Sequence, residues 1–390
     1  MIKRILALLL LSTALFALDN SDISQQNKPV TVRVLLKKLA RSALVEVKGR
    51  HFVYNPKTDQ LIFSGAKNRR ARMSTADRGL SWGGRFPGLF EIRIVPGDPT
   101  SAIFIDGIQY KGCIEIYSIG GTLNIVNEID TENYLKSILS HQLNPVKSQE
   151  ALDAVVITER TNLHYTIAKD PFASWQVDAM KVGYFGLGVK KSQQVYNAVE
   201  RTRDMVMHYK KQPFASSWSS NNAGKSVSYI DIFRNAGNTP KGVNGLPSSI
   251  ARQTSRWTAF APLKTFSQLT GLKRITKIDL FCTKGSTKVY GMRIYSRASY
   301  VDLDFFKLQK ALGKELLKSN DFAIEIKGKK LLFIGYGEGA GVGLCLKSAE
   351  LLSEKKESTE EILTFHFPGT ELINPRREGG YREVENFIWR

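Results

Sequence analysis

Cysteine is scarce in this 390-residue chain: Cys113, Cys282 and Cys345 are its only three. They lie far apart without a CxxC pair, which argues against both a disulfide framework and a cysteine-based zinc site. Three thiols allow at most one bridge, and the apolar neighbours of Cys113 and Cys345 read as buried thiols. Acidic residues are also short, 36 against 56 Lys and Arg, for a net charge of +20. A surplus of that size suits a polyanionic partner. It is dense between Lys67 and Arg85, where Lys67, Arg69, Arg70, Arg72, Arg78 and Arg85 face Asp77 alone. Two readings stand for that stretch: a solvated surface loop, or an attachment surface for a polymer or membrane. Long apolar runs are missing after the N-terminus, so no later segment has the length of a membrane span. A phosphate loop is missing too. The glycines from Gly335 to Gly343 have no Lys-Ser/Thr at the required spacing, and the dinucleotide fingerprint fails there as well.

What is present begins with MIKRILALLLLSTALFA, in which Lys3 and Arg4 precede an apolar run and small residues. Residues 1–17 therefore read as a secretory signal peptide, with a retained anchor as the alternative, and 18–29 as a flexible leader. Export to a periplasm or cell envelope makes nucleic acid the least suited polyanion. An anionic cell-wall polymer and acidic lipid, the latter through peripheral membrane contact, remain.

From Val30 to Asn127 short alternating runs are separated by turn signals such as Asn55-Pro56, Asp106-Gly107 and Gly120-Gly121. That pattern predicts an antiparallel β lobe over 30–127. Asp130-Thr131-Glu132 then places carboxylates where a first helical turn exposes unpaired N–H groups. This helix is expected to end near Asn144-Pro145. A second runs from the N-cap Ser148 to about Lys169. Its Leu152, Val156, Glu159 and Leu163 recur at helical spacing, so a carboxylate sits in line with an apolar stripe.

Further on, Phe214–Ser226 reads as a Ser/Asn-rich turn, and 236–262 as a long surface loop. Strand patterns return from Ile275 to Ile334, with a helix over Asp304–Leu317. The fold class is mixed α/β (α+β): a β-rich N-terminal lobe, a central helical pair, and a C-terminal β-rich lobe with a Gly-rich loop.

Val126-Asn127-Glu128, Glu132-Asn133-Tyr134-Leu135, Glu150-Ala151-Leu152 and Arg160-Thr161 stand in the order and spacing of a known family. In them the chain resembles the SpoIID/LytB domain, whose members act on bacterial cell-wall glycan as lytic transglycosylases or serve as amidase enhancers. Gly335–Gly343, followed by a helix and Phe367-Pro368-Gly369-Thr370, extends the resemblance. It implies a SpoIID/LytB-like core over 128–375, with 376–390 as an unmatched tail. It implies peptidoglycan glycan strands as ligand, a cell-wall amidase as a candidate partner, and neither cofactor nor metal. The glycan-binding positions it suggests are Arg160, Trp218, Ser219, Ser220, Asn221, Gly224, Gly337, Gly339 and Gly341.

The resemblance also implies a glutamate just before the proline break, where a carboxyl group protonates the leaving glycosidic oxygen. Here Gln142 occupies that position, and Ala340 stands where the family usually has histidine. A carboxamide cannot exchange the proton. The expectation is a chain that binds glycan and cleaves it slowly or not at all, unless Glu159 supplies the acid. On an apolar stripe Glu159 would have a raised pKa, as that role requires. The competing expectation pairs Glu159 with Arg160 or a nearby lysine.

Overall fold

The structure is a computed structural model, and it describes residues 30–233, 237–245 and 252–374. The signal-peptide, leader and tail expectations for 1–17, 18–29 and 376–390 lie outside the described residues. The class is α+β.

Twelve strands build the first lobe: β1 (Thr31–Ala40), β2 (Ser42–Lys48), β3 (His51–Tyr54), β4 (Leu61–Gly65), β5 (Arg69–Ala76), β6 (Gly79–Trp82), β7 (Arg85–Pro87), β8 (Glu91–Pro96), β9 (Ala102–Ile105), β10 (Ile108–Tyr110), β11 (Cys113–Ile119) and β12 (Thr122–Asp130). One sheet runs β1-β12-β11-β8-β3-β4 and the other β10-β9-β2-β5-β6-β7. Alternation sets the faces: Val32 and Val34 of β1, and Ala43, Val45 and Val47 of β2, turn inward. They meet Met73, Trp82, Ile94, Ile103 and Ile116 in one core. β12 is buried at every position from Leu123 to Asn127, because helices cover its second face.

Charge misleads in one place. The Lys67–Arg85 stretch is not a loop but holds β5, β6 and β7, paired through Met73↔Trp82 and Leu80↔Phe86. Met73, Leu80 and Trp82 fill the core, Arg70 and Arg72 take the alternate outward positions, and Arg69, in phase with Met73, lies over Trp82 and Phe63.

Helices α1 (Thr131–Gln142) and α2 (Gln149–Lys169) follow within a residue or two of expectation. Asp130 caps α1 by accepting from Asn133 N at 2.9 Å, and Ser148 caps α2 through Ala151 N at 3.0 Å. α2 is buried on nearly all sides rather than along a stripe, with Ala154, Val155, Val156 and Ile157 fully enclosed. Each such large side chain contributes roughly 1.5–3 kcal/mol of burial. Around it stand α1, α4 (Gln193–Arg201), α8 (Leu346–Glu354), α9 (Thr359–His366) and β14 (Val206–Tyr209). Between α2 and α4, β13 (Val177–Asp178) joins β1 in parallel and leads into α3 (Ala179–Val182).

A second lobe is inserted before the glycine run. β15 (Trp218–Ser219) and the short α5 (Tyr229–Ile232) precede it. Its elements are β16 (Arg256–Pro262), α6 (Leu263–Thr270), β17 (Lys277–Cys282), β18 (Val289–Tyr295), β19 (Tyr300–Asp304), α7 (Phe305–Leu312), β20 (Phe322–Lys327) and β21 (Lys330–Tyr336). It has its own core, including Trp257, Phe266, Met292, Phe305, Phe322 and Phe333. The end of the expected 236–262 loop is thus a strand, and Gly313 ends α7 short of Leu317. The chain returns through β22 (Leu344–Cys345), parallel to β15, and closes with β23 (Thr370–Ile373) on β14. All three cysteines are free thiols, with Cys113 and Cys345 buried and Cys282 exposed.

Candidate functional site

A cleft of about 390 Å³ opens where β1, α1, α2, β13 and α3 meet. Leu35 and Lys38 come from β1, Tyr134 from α1, and Glu159, Asn162 and Thr166 from one face of α2. Trp175, Asp178 and Lys181 close the other side. The combination of a flat indole, amide and hydroxyl groups, two lysines and two carboxyl groups suits a polyhydroxylated ligand.

Glu159 is the unusual group. Burial pushes its carboxyl up to about 7, and a side-chain hydrogen bond from Trp218 only partly offsets this. Among the described residues no arginine or lysine pairs with its carboxylate. Tyr134 beside it is 2% exposed, and its phenol is raised by burial and by the Glu159 charge. Glu159 is therefore a carboxyl group that exchanges a proton near neutrality while facing a cleft.

Arg160, one residue on, points the opposite way and is 0% exposed. It grips Glu132 bidentately, Nε to Oε1 at 2.9 Å and Nη2 to Oε2 at 2.7 Å. Its remaining N–H groups go to Thr202 Oγ1, Met205 O and Val199 O. Arg160 is thus corrected from a glycan contact to an internal clamp between α1, α2 and α4. Thr161 continues the clamp by accepting from Met207 N at 2.9 Å. Asn127 plays a similar part, donating to Lys111 O and Cys113 O and accepting from Tyr184 Oη at 2.6 Å. Asn127, Glu132, Arg160 and Thr161 of the motifs thus hold the platform, while Tyr134 lines the cleft.

Gln142 is exposed at the C-terminal end of α1, and its Nε2 donates to Val182 O at 2.9 Å. Val182 lines the cleft, so Gln142 stands at its rim, bonded to backbone rather than to a carboxylate. Ala340 packs against the small apolar group of Val227, Ile232 and Val342.

The Ser/Asn turn touches Glu159 through the Trp218 side chain. Ser219 is buried, and its Oγ accepts from Gly341 N at 3.1 Å. Ser220 O takes Lys347 N, while Asn221 Oδ1 and Asn222 Oδ1 fold the turn onto Ala223 N and Gly224 N. Gly337 faces Asn221 O, Gly339 faces Ser219, and Gly341 lies on the Lys288 side chain. The turn and the glycine run hold each other. Gly337 shows why glycine is needed: φ is +75°, and an added Cβ would lie 2.4 Å from Asn221 O. Gly337→Ala is expected to destabilise the fold by about 2–4 kcal/mol, read as a lowered thermal unfolding midpoint.

Beneath the run, Lys288 Nζ donates to Asn222 O at 2.7 Å and Asp321 Oδ2 at 3.1 Å, joining the second lobe to the turn. Sequence reasoning missed Tyr134, Lys38 and Trp175 as cleft residues, since three distant segments supply them. Asn162 and Thr166 were within reach of a helical projection, being three and seven residues after Glu159.

Residues 120–209 match the family described as Stage II sporulation protein, SpoIID. An uncharacterized Chlamydia pneumoniae protein is 34% identical over 179 residues, covering 45% of this chain and 65% of that protein. This chain thus spans just under two thirds of that relative. An uncharacterized Brachyspira hyodysenteriae protein is 26% identical over 368 residues, covering 92% of this chain and 96% of its own length. A Bacillus subtilis protein named Amidase enhancer is 24% identical over 336 residues, covering 73% and 47%. The helical platform at 120–209 thus carries the SpoIID match, and over a longer span the chain is similar to a protein named Amidase enhancer.

Proposed function

We propose that this protein is an exported cell-wall protein that binds peptidoglycan glycan strands in the Glu159 cleft and cleaves them as a lytic transglycosylase. The observation that supports this reading is Glu159 itself, raised to about 7 in a cleft with Trp175 and Tyr134 at its walls. A glycosidic oxygen leaves only when protonated, and a carboxyl group still protonated near neutral pH can deliver that proton. Protonated Glu159 gives its proton to the bridging oxygen as the C1–O bond breaks. The resulting carboxylate then takes the proton of the same sugar's C6 hydroxyl as that oxygen bonds to C1. The product is a 1,6-anhydro sugar, and Glu159 ends protonated as it began.

The test is digestion of purified, peptide-free glycan strands, analysed by mass for anhydro-muramyl ends. Cleavage is expected, and its rate should fall as pH rises through about 7, because the proton-donating form of Glu159 is lost there. Robust cleavage with no such pH dependence would remove Glu159 from the role.

One observation favours a second reading, a glycan-binding accessory of a cell-wall amidase. Gln142, at the rim of the cleft, offers no proton, and one relative is named Amidase enhancer. The two readings separate on Gln142→Glu. That change should create cleavage in a non-catalytic protein. In a Glu159-dependent enzyme it leaves the rate unchanged or lowers it through carboxylate repulsion.

A further inference from the structure

Between Arg256 and Tyr336, sixteen Lys and Arg face six Asp and Glu, so the second lobe carries half of the chain's +20. Four of the six acids are already paired: Asp279 with Lys277, Asp302 with Arg293, Asp321 with Lys288, and Glu325 with Lys327. A fifth, Asp304, caps α7. Most of the lobe's exposed cations therefore have no acidic partner among the described residues.

The β16-β21-β20 sheet adds a second observation. Its inner face, with Trp257, Leu331 and Phe333, covers the lobe core. The register sets Phe260 opposite Leu332, and Ile334 between Thr258 and Ala323, all on the outer face. Phe260 is 57% exposed. The uncovered face of an antiparallel sheet is normally polar; here Phe260, Leu332, Ile334 and Ala323 stand among Thr258 and Glu325, and Lys327 pairs with that carboxylate. The face ends at a cationic tip. The hairpin joins Lys327 to Lys330 through Gly328-Lys329, Pro262 lies opposite Lys330, and Leu263 N bonds Lys329 O at 2.9 Å, which brings Lys264 alongside.

The choice of occupant follows from charge. Two such basic lobes repel one another, which disfavours a second copy. A partly apolar face with a phenylalanine, bordered by lysines, complements a surface that is anionic outside and apolar just beneath. We propose that the outer face of the β16-β21-β20 sheet docks on an anionic lipid bilayer. Phe260 enters the headgroup layer, and Lys264, Lys329 and Lys330 meet lipid phosphates. This contact is separate from the glycan cleft and does not rest on it. It also moves attachment away from Lys67–Arg85. There Arg69 stacks on Trp82 and Phe63, Arg70 pairs with Glu46, and Arg72 donates to Ser42 Oγ.

The test is co-sedimentation of the chain from Leu18 onward, so that the apolar run in residues 1–17 contributes nothing, with lipid vesicles. Vesicles of phosphatidylglycerol and phosphatidylcholine in equal parts are compared with phosphatidylcholine alone. Binding to the anionic vesicles is expected, weakening about tenfold or more between about 0.05 M and about 0.5 M salt. Lys264→Glu/Lys329→Glu/Lys330→Glu should bind about a hundredfold more weakly, and Phe260→Ser about tenfold. The control Arg70→Glu/Arg72→Glu should stay within about twofold of wild type. All these side chains are exposed, and unchanged unfolding midpoints verify that the variants fold. Wild-type binding by the triple variant, equal binding to neutral vesicles, or binding only to a soluble polyanion would each overturn the proposal. A loss confined to Arg70→Glu/Arg72→Glu would overturn it as well.

Discussion

Glu159→Gln is expected to reduce glycan cleavage by roughly 10²–10⁴-fold while making the folded protein more stable above neutral pH. Both effects come from one property. In the fold the Glu159 carboxyl is raised from 4.5 to about 7, mainly by burial. Well below pH 4.5 it is neutral, folded or unfolded, and at pH 4.5 the unfolded chain has it only about half ionised, so its ionisation still costs folding little. Between 4.5 and 7 the unfolded chain ionises it while the fold keeps it protonated, so stability declines as pH rises. Above 7 the fold carries a poorly solvated carboxylate and the penalty is complete, on the order of 2–3 kcal/mol. Glutamine occupies the same space without that charge. Thermal unfolding should therefore show matching midpoints for the two proteins near pH 4.5 and a higher midpoint for the variant at pH 8. Equal midpoints at both pH values, with cleavage intact, would show that Glu159 is neither strained nor catalytic.

Removing either half of the Glu132–Arg160 pair should be the most damaging single change in the helical platform. The Arg160 side chain is 0% exposed and that of Glu132 6%, and their contact is bidentate. Arg160→Met leaves a buried carboxylate without its partner, and Glu132→Leu leaves a buried guanidinium. Each is expected to cost about 3–5 kcal/mol, measured by denaturant unfolding. The double variant should recover much of that loss, because no unpaired charge remains. A glycan-binding role for Arg160 predicts the reverse: near-normal stability with weakened affinity. If Arg160→Met unfolds at the wild-type midpoint and loses glycan, the clamp described here is wrong.

These two residues, adjacent in sequence, show where sequence reading stops. On a helix successive side chains diverge by about 100°, so Glu159 and Arg160 serve opposite sides of α2. Motif spacing identified both but could not say which faced the ligand. The competing expectation, that they pair with each other, fails for the same reason. Nor did the stripe of Leu152, Val156 and Leu163 reveal that α2 is enclosed almost all round, since the other covering residues lie on α4, α8 and β14.

The sequence by itself determined what depends on near neighbours. Asp130 and Ser148 fixed the starts of α1 and α2 through their caps, Pro145 separated them, and period-two alternation marked β1, β2 and β12. The family resemblance followed from those same local patterns. Tertiary structure decided what requires distant segments to meet. It turned the arginine-rich 69–87 stretch into three core-lining strands, because Met73, Leu80 and Trp82 contribute more by burial than the alternating charges oppose. It gave the second lobe an outer sheet face with Phe260, Leu332 and Ile334 side by side, visible only once the register of β16, β21 and β20 was set. And it raised Glu159 to about 7, a shift produced by what surrounds the carboxyl rather than by what stands beside it in the chain.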